Sequence, residues 1–107
     1  MSANLEQSQL VLQFAADGVA DFDRLMVLEA RLVEVLGEEA VDGHDFGSGE
    51  MNIFILTDAP EASFNVCLLE VTQVGLPLRG AAHRIFGGEE DYKRIWPVGS
   101  PEPFEVI

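Results

Sequence analysis

Residues 51–61, MNIFILTDAPE, give the clearest local signal in the chain, a strand that leads directly into a helix. Residues 51–57 favour a strand because isoleucine and phenylalanine suit a pleated surface. Both faces of this strand are largely apolar, so we expect it in the middle of a sheet. Asp58, Pro60 and Glu61 have the arrangement of an acidic N-cap, a first-turn proline and a capping box, which predicts that a helix begins here.

The residues before this stretch predict one helix and two strands. Residues 9–15 form a short apolar run that ends at a glycine turn, which is typical of a strand. Apolar residues recur at helical spacing over 21–36, and Asp21 is the expected N-cap. Residues 38–46 are polar and precede a glycine-rich turn, so we interpret them as an edge strand.

The residues after this stretch predict the end of the second helix and a terminal hairpin. The second helix is expected to stop near Val74, just before a glycine. Strands over 79–86 and 91–96 flank a glycine-containing turn and form the hairpin. Residues 1–97 are therefore expected to form a single domain, and residues 98–107 an extended C-terminal tail.

This order of elements predicts an α+β fold, a βαββαβ plait whose antiparallel sheet has two helices on one face and a C-terminal hairpin extension. The order, together with residues 47–61, GSGEMNIFILTDAPE, resembles small bacterial proteins of the ferredoxin-like (split βαβ) fold. The resemblance implies the fold alone. It carries no catalytic residue to this chain, because the fold hosts unrelated functions.

The charge of the chain bears on its partners. It has 19 Asp and Glu against 6 Lys and Arg, a net charge of -13, and is still 48% hydrophobic. This combination predicts a soluble domain with a real core and an anionic surface. Such a surface repels phosphates, so we expect neither direct nucleic-acid binding nor membrane binding.

The acidic residues are concentrated over residues 21–50, which predicts an anionic edge made by the first helix and the strand after it. Two interpretations remain open for this edge, a solvated face and a docking surface for a basic protein. The acidic candidate interaction residues are Glu34, Glu38, Glu39, Asp42 and Asp45.

The single cysteine, Cys67, lies in an apolar helical stretch and is expected to be a buried, inert thiol. One cysteine makes no internal disulfide, which agrees with a reducing compartment. The first residues lack a basic region followed by an apolar run, so no secretory signal is predicted. We therefore expect a cytoplasmic protein.

Asp42, His44 and Asp45 form the densest cluster of metal-ligand types. On a strand, Asp42 and His44 would share a face and Asp45 would lie on the other. The favoured interpretation is a charged edge strand that blocks aggregation. No catalytic or cofactor motif occurs, so we predict no catalytic residue, no cofactor and no metal; an ion here would need further ligands from Asp17, Glu50 or His83.

The predicted terminal strand carries a second set of candidate interaction residues. Tyr92, Arg94 and Trp96 fall on one face at period two, and these residue types are the most enriched in binding hot spots. The favoured interpretation is that Tyr92 and Trp96 complete the core while Arg94 neutralises a nearby carboxylate.

We therefore expect a non-enzymatic interaction or binding module that forms a homodimer through the open face of its sheet, because apolar residues of the central strands need cover there. One alternative is a small enzyme or ligand-binding protein with a pocket that uses Asp42, His44 or His83. Another is an acidic inhibitor or immunity-type protein that docks a basic partner.

Overall fold

The computed structural model describes residues 7–16, 18–47, 49–88, 91–99 and 103–106. In chain order, its elements are β1 (Ser8–Ala15), α1 (Val19–Leu36), β2 (Val41–Gly47), β3 (Glu50–Thr57), α2 (Pro60–Val74), β4 (Leu78–Ile85) and β5 (Lys93–Trp96). The α+β class predicted from the sequence is confirmed.

The strands form a single five-stranded sheet in the order β2-β3-β1-β4-β5. Every neighbouring pair is antiparallel. The apolar strand β3 lies inside the sheet and the polar strand β2 lies at its edge, as predicted, and β4 pairs with β5 as the terminal hairpin. This arrangement is compatible with a ferredoxin-like fold.

Both helices cover one face of the sheet. Apolar residues recur at every second position of the strands and at every third or fourth position of the helices, so each element has one apolar side to pack. Alternate residues of β1 and β3 point toward the helices, and α1 and α2 present residues at three- and four-residue spacing. The fully or nearly fully buried residues of this core include Leu10, Leu12, Phe14, Leu25, Leu28, Leu32, Met51, Ile53, Ile55, Phe64, Cys67 and Val71.

The N-cap predicted for α1 is wrong. The helix begins at Val19 and its N-cap is Gly18, with no side-chain hydrogen bond. Asp21 lies within the first turn, where its backbone N–H donates to the carbonyl of Gly18 at 3.2 Å. A carboxylate in this turn still interacts favourably with the positive end of the helix dipole.

The capping box predicted for α2 is also wrong, although Pro60 does occupy the first turn. The N-cap is Ala59 and no side chain caps the helix. The hydroxyl of Thr57 accepts a hydrogen bond from the backbone N–H of Ala59 at 3.0 Å and lies 2.7 Å from Oγ of Ser63. The side chain that hydrogen-bonds the backbone before α2 is therefore Thr57, whereas the sequence predicts Asp58 in that role.

The second face of the sheet is partly covered by residues 103–106, here named the C-terminal segment. Phe104 is 7% exposed and packs with Val11 and Ala82, away from the helix-side core. Part of the predicted tail is thus docked on the sheet. The domain boundary at residue 97 stays a prediction.

Neither helix in the described part of the chain is both long and apolar enough to span a membrane.

Replacing Leu28 with alanine tests the helix-side core. Leu28 has no exposed surface. Leu28→Ala should lower the free energy of unfolding by about 2–5 kcal/mol, because it leaves a cavity under α1. The matched control is Leu69→Ala on α2, where the side chain is 65% exposed. Urea denaturation measures both, and equal losses for the two variants would contradict the packing described here.

Candidate binding cleft on the open sheet face

The open sheet face is defined as the side of the sheet that faces away from the helices. On β1 it presents Gln9, Val11 and Gln13, which alternate with the buried leucines of the other face. Val11 stands opposite Phe54 of β3 and Ala82 of β4. An apolar centre flanked by two glutamines therefore faces the C-terminal segment.

A cleft of about 740 Å³ lies between this face, the C-terminal segment and the approach to β5. Its walls combine aromatic and aliphatic side chains with one arginine, one glutamine and two carboxylates. The lining residues are Gln9, Phe54, Arg84, Asp91, Tyr92, Phe104, Glu105 and Val106.

Three polar side chains of the cleft are fixed relative to one another. Oε1 of Gln9 accepts hydrogen bonds from Nε of Arg84 at 3.0 Å and from the hydroxyl of Tyr92 at 2.8 Å. The guanidinium carbon of Arg84 lies 4.5 Å from the centroid of the Tyr92 ring, within the range of a cation–π contact. Gln9 is itself only 7% exposed, so it acts as a rigid anchor for both partners.

The Tyr92 hydroxyl remains a hydrogen-bond donor at neutral pH. Partial burial raises its pKa, and the positive charge of Arg84 offsets part of that increase. The cleft therefore offers a neutral phenol and a cationic guanidinium side by side.

A second polar group lies under the C-terminal segment. Nε2 of Gln13 is 3.1 Å from Oε2 of Glu50, 3.2 Å from Oδ1 of Asn52 and 2.9 Å from the carbonyl oxygen of Glu105. Gln13, Glu50 and Asn52 are at most 7% exposed. Buried polar groups need such partners, because an unsatisfied one costs about 1–3 kcal/mol.

Glu50 therefore does not belong to the anionic edge in which the sequence placed it. It is 3% exposed, and its other carboxylate oxygen lies 4.0 Å from Nη1 of Arg79. Of the acidic candidate residues of the edge, Glu34, Glu38, Glu39 and Asp42 are exposed and Asp45 is partly exposed. Docking of a basic protein on this edge stays a prediction.

His44 is held by the first helix. Its Nδ1 lies 3.1 Å from a carboxylate oxygen of Glu29, and its ring meets the edge of Phe22 with centroids 6.0 Å apart. A bulge between Val41 and Gly43 interrupts the alternation that was expected to place Asp42 beside His44. Asp45 pairs with Asn52 on the open face, opposite to the side of His44.

His83 lies far from this group. It is on β4, and strands β3 and β1 separate β4 from β2. Three strand spacings correspond to about 14 Å, so His83 does not share a small site with Asp42 and His44. Among the described residues, no group of three or more His, Cys, Asp or Glu is placed to hold a metal ion. Asp17 and Ser48 lie outside the described residues.

The thiol of Cys67 is unsuited to nucleophilic chemistry. The residue has no exposed surface. Burial, with a smaller contribution from the charge of Glu70, raises the pKa of the thiol to about 12. Since the thiolate is the nucleophile, Cys67 behaves as a small apolar core residue.

The sequence placed Tyr92, Arg94 and Trp96 on one face, and this is wrong for Trp96. Tyr92 and Arg94 both contact the Phe104 ring, whereas Trp96 packs against the helix-side core. The cause is a register shift in the β4–β5 ladder between Ala81 and Ala82, which interrupts the period of two.

Sequence reasoning missed Gln9, Arg84 and Phe104 as residues of the cleft. The available signal was the pair of glutamines at positions 9 and 13 within an apolar strand. Two polar residues four positions apart lie on the same face of a strand, and on an otherwise apolar strand they indicate a face that needs polar partners.

Comparisons with protein-family models, with curated proteins and with solved structures found no match to this chain.

Gln13→Ala tests the polar group beneath the C-terminal segment. The substitution removes the donor to Glu50 and to the Glu105 carbonyl, so it should lower the free energy of unfolding by about 1–3 kcal/mol. Gln73→Ala on α2 is the matched control, since Gln73 is exposed and its side chain accepts an exposed hydrogen bond from Nη2 of Arg31. Gln73→Ala should lower the free energy of unfolding by less than about 0.5 kcal/mol. A loss for Gln13→Ala no larger than for Gln73→Ala in urea denaturation would contradict the network.

Proposed function

We propose that this protein is a non-enzymatic interaction module, built on a ferredoxin-like plait, whose binding surface is the open sheet face. The observation that carries the proposal is the cleft of about 740 Å³ with Tyr92, Arg84 and Phe104 in its walls. Tyrosine and arginine are strongly enriched among residues that dominate binding energy.

The rigidity of this cleft supports a role in recognition. Gln9 fixes both Arg84 and Tyr92 by hydrogen bonds, so a ligand meets side chains that are already oriented. Preorganised side chains lose little conformational entropy on binding. Half-buried Phe54 and Val106 add apolar surface to the same cleft.

The surroundings of Cys67, Ser63 and the two histidines favour binding over catalysis. Cys67 is buried and protonated, and Ser63 is paired with the hydroxyl of Thr57. The two histidines lie on different strands, and His44 is tied to Glu29. These placements give no reason to assign acid–base or nucleophilic roles.

Affinity capture from a cell extract tests the binding surface. Tyr92→Ala removes the ring that contacts both Arg84 and Phe104, so it should abolish retention of the bound partner. Leu69→Ala alters an exposed apolar position on the helix side and should retain it. Quantitative mass spectrometry of the eluates measures the difference. A partner kept by Tyr92→Ala and lost by Leu69→Ala would place the binding surface on the helices and overturn the proposal.

The homodimer expected from the sequence stays a prediction. Phe104 covers Val11 and Ala82 within one chain, so a second copy on the open face would contact the remaining apolar residues around Phe54 and Val106. Light scattering at micromolar concentration should then give twice the 11.7 kDa of one chain. A constant mass of a single chain across that range would rule out the dimer.

A further inference from the structure

The strand β2 has an outer edge, and the backbone register shows which residues face it. Among the described strands, β2 stands at the end of the sheet order and pairs with β3 alone. The carbonyl of Gly49 accepts a hydrogen bond from the N–H of Ala16, so Gly49 faces β1 and the next residue, Glu50, faces β2. The register pairs Glu50 with Gly47, so the backbone of Gly47 faces β3.

Phe46 and His44 therefore direct their backbone N–H and C=O groups away from β3. Successive residues of a strand alternate between its two edges, and the backbone of Gly47 faces inward. Both residues also lie on the helix side of the sheet, because their register partners, Met51 and Ile53, belong to the helix-side core. An edge that presents such backbone groups is a template for an added strand.

An apolar pocket lies beside this edge, on the helix side. It has a volume of about 430 Å³ and is lined by Gly18, Val19, Phe22 and Phe46. The ring of Phe46 meets that of Phe22 edge-on, with centroids 5.4 Å apart. Val19 is 78% exposed and Phe46 is 53% exposed, so two large apolar side chains of the pocket face solvent. Adjoining exposed apolar groups are typical of an interaction site.

A strand added to β2 would use both the edge and the pocket. Its residues opposite His44 and Phe46 would lie on the helix side, where Phe46 borders the pocket, because paired residues share a face. The residue between them would stand opposite Asp45, on the open face. A bulge interrupts the first half of β2, so we expect the pairing over residues 44–47.

The aromatic rings of the pocket have acidic neighbours. Asp21 and Asp23 lie on either side of Phe22 in α1, and Asp45 precedes Phe46 in β2. Asp23 is exposed, and Asp21 and Asp45 are partly exposed. Negative charge therefore borders the pocket on both of the elements that form it.

Positive charge in this region is scarce and partly paired. Residues 18–47 contain eight Asp and Glu, whereas their basic side chains, His44 aside, are Arg24 and Arg31. Nε of Arg31 lies 2.7 Å from a carboxylate oxygen of Glu70 on α2, and Nδ1 of His44 lies 3.1 Å from Glu29. A segment rich in Lys or Arg is complementary to this charge, whereas a second copy of the chain, with its net charge of -13, is repelled.

We propose that the outer edge of β2 binds an extended basic segment of a partner protein as a further strand of the sheet. The segment places an apolar side chain opposite Phe46, in the pocket, and a lysine or arginine opposite Asp45. In this mode of recognition, backbone hydrogen bonds supply affinity and alternate side chains supply specificity. The edge of β2 is separate from the cleft on the open sheet face, so this inference goes beyond the proposed function.

A synthetic peptide that alternates basic and apolar residues, acetyl-KVKIKVK-amide, tests the edge on the unaltered protein. The control, acetyl-KKVIVKK-amide, has the same composition and charge without the full alternation. The alternating peptide should bind at least about fivefold more tightly, because several cross-strand pairs contribute to its binding. Isothermal titration calorimetry gives both affinities. Equal binding of the two peptides would mean attraction by charge alone and would overturn the inference.

Hydrogen exchange followed by NMR tests the added strand directly. The bound alternating peptide should slow exchange of the His44 and Phe46 amides by at least about tenfold, because each backbone N–H that faces the outer edge gains an acceptor. The Asp45 amide faces β3 and should not change. Binding without this slowing overturns the inference. Slowing that appears without peptide and grows with protein concentration would place a second copy at the edge, which also overturns it.

Two substitutions at exposed or partly exposed positions test the side-chain contacts. Asp45→Asn should weaken binding of the alternating peptide about two- to fivefold, because one opposite-charge pair across the strands is lost. Glu61→Gln, at an exposed position of α2, is its matched control and should leave the affinity unchanged. Phe46→Ala should weaken binding at least about fivefold, because it removes a wall of the pocket. Unchanged affinity in both Asp45→Asn and Phe46→Ala would contradict the site.

Tyr92→Ala separates this inference from the proposed function. Tyr92 lines the cleft on the open sheet face, so its loss should leave the affinity for KVKIKVK unchanged. A peptide that loses its affinity with Tyr92→Ala would be bound in the cleft, which overturns the assignment to β2. A partner from cell extract that is kept by Tyr92→Ala and lost by Leu69→Ala would overturn the proposed function and leave the edge of β2 intact as a binding site.

Discussion

The burial of β1 on both of its faces is the constraint on which the rest of the structure depends. Every residue from Ser8 to Phe14 is buried. On one face the leucines meet two helices, which is the ordinary way to cover a sheet. On the other face Val11 meets Phe104, and the glutamines on either side of it must find hydrogen-bond partners.

Those two glutamines organise the open face in different ways. Gln13 donates hydrogen bonds to Glu50, Asn52 and the backbone of the C-terminal segment, and these groups form one buried polar cluster. Gln9 orients Arg84 and Tyr92 at the wall of an open cleft. Apolar residues at positions 9 and 13 would need no hydrogen-bond partners, and neither network would form. The arrangement of the cleft therefore depends on two polar residues of a central strand.

The fold was largely predictable because its signals are local. The apolar run at 51–57 and the helical spacing over 21–36 require only neighbouring residues to interpret. The cleft was not predictable in this way, since Gln9 and Tyr92 are 83 positions apart and meet only through the sheet order. Trp96 was misplaced because a register shift in the β4–β5 ladder leaves no mark in the sequence. Glu50 looked like a surface residue because its partners Gln13 and Arg79 come from β1 and β4, which are distant in sequence.

The structure shows where several charged side chains of this acidic chain lie. Exposed carboxylates remain on α1 and the turn into β2, while arginines contact the open face around Phe104. The described charges are therefore distributed unevenly over the surface.

The most direct test of this account is a nuclear Overhauser experiment on the unaltered protein in solution. It should show cross-peaks between the ring protons of Phe104 and the methyl groups of Val11 and Ala82, because these groups are packed together. Absence of these cross-peaks, with random-coil chemical shifts for Phe104, would contradict the central claim that the C-terminal segment occupies the open sheet face.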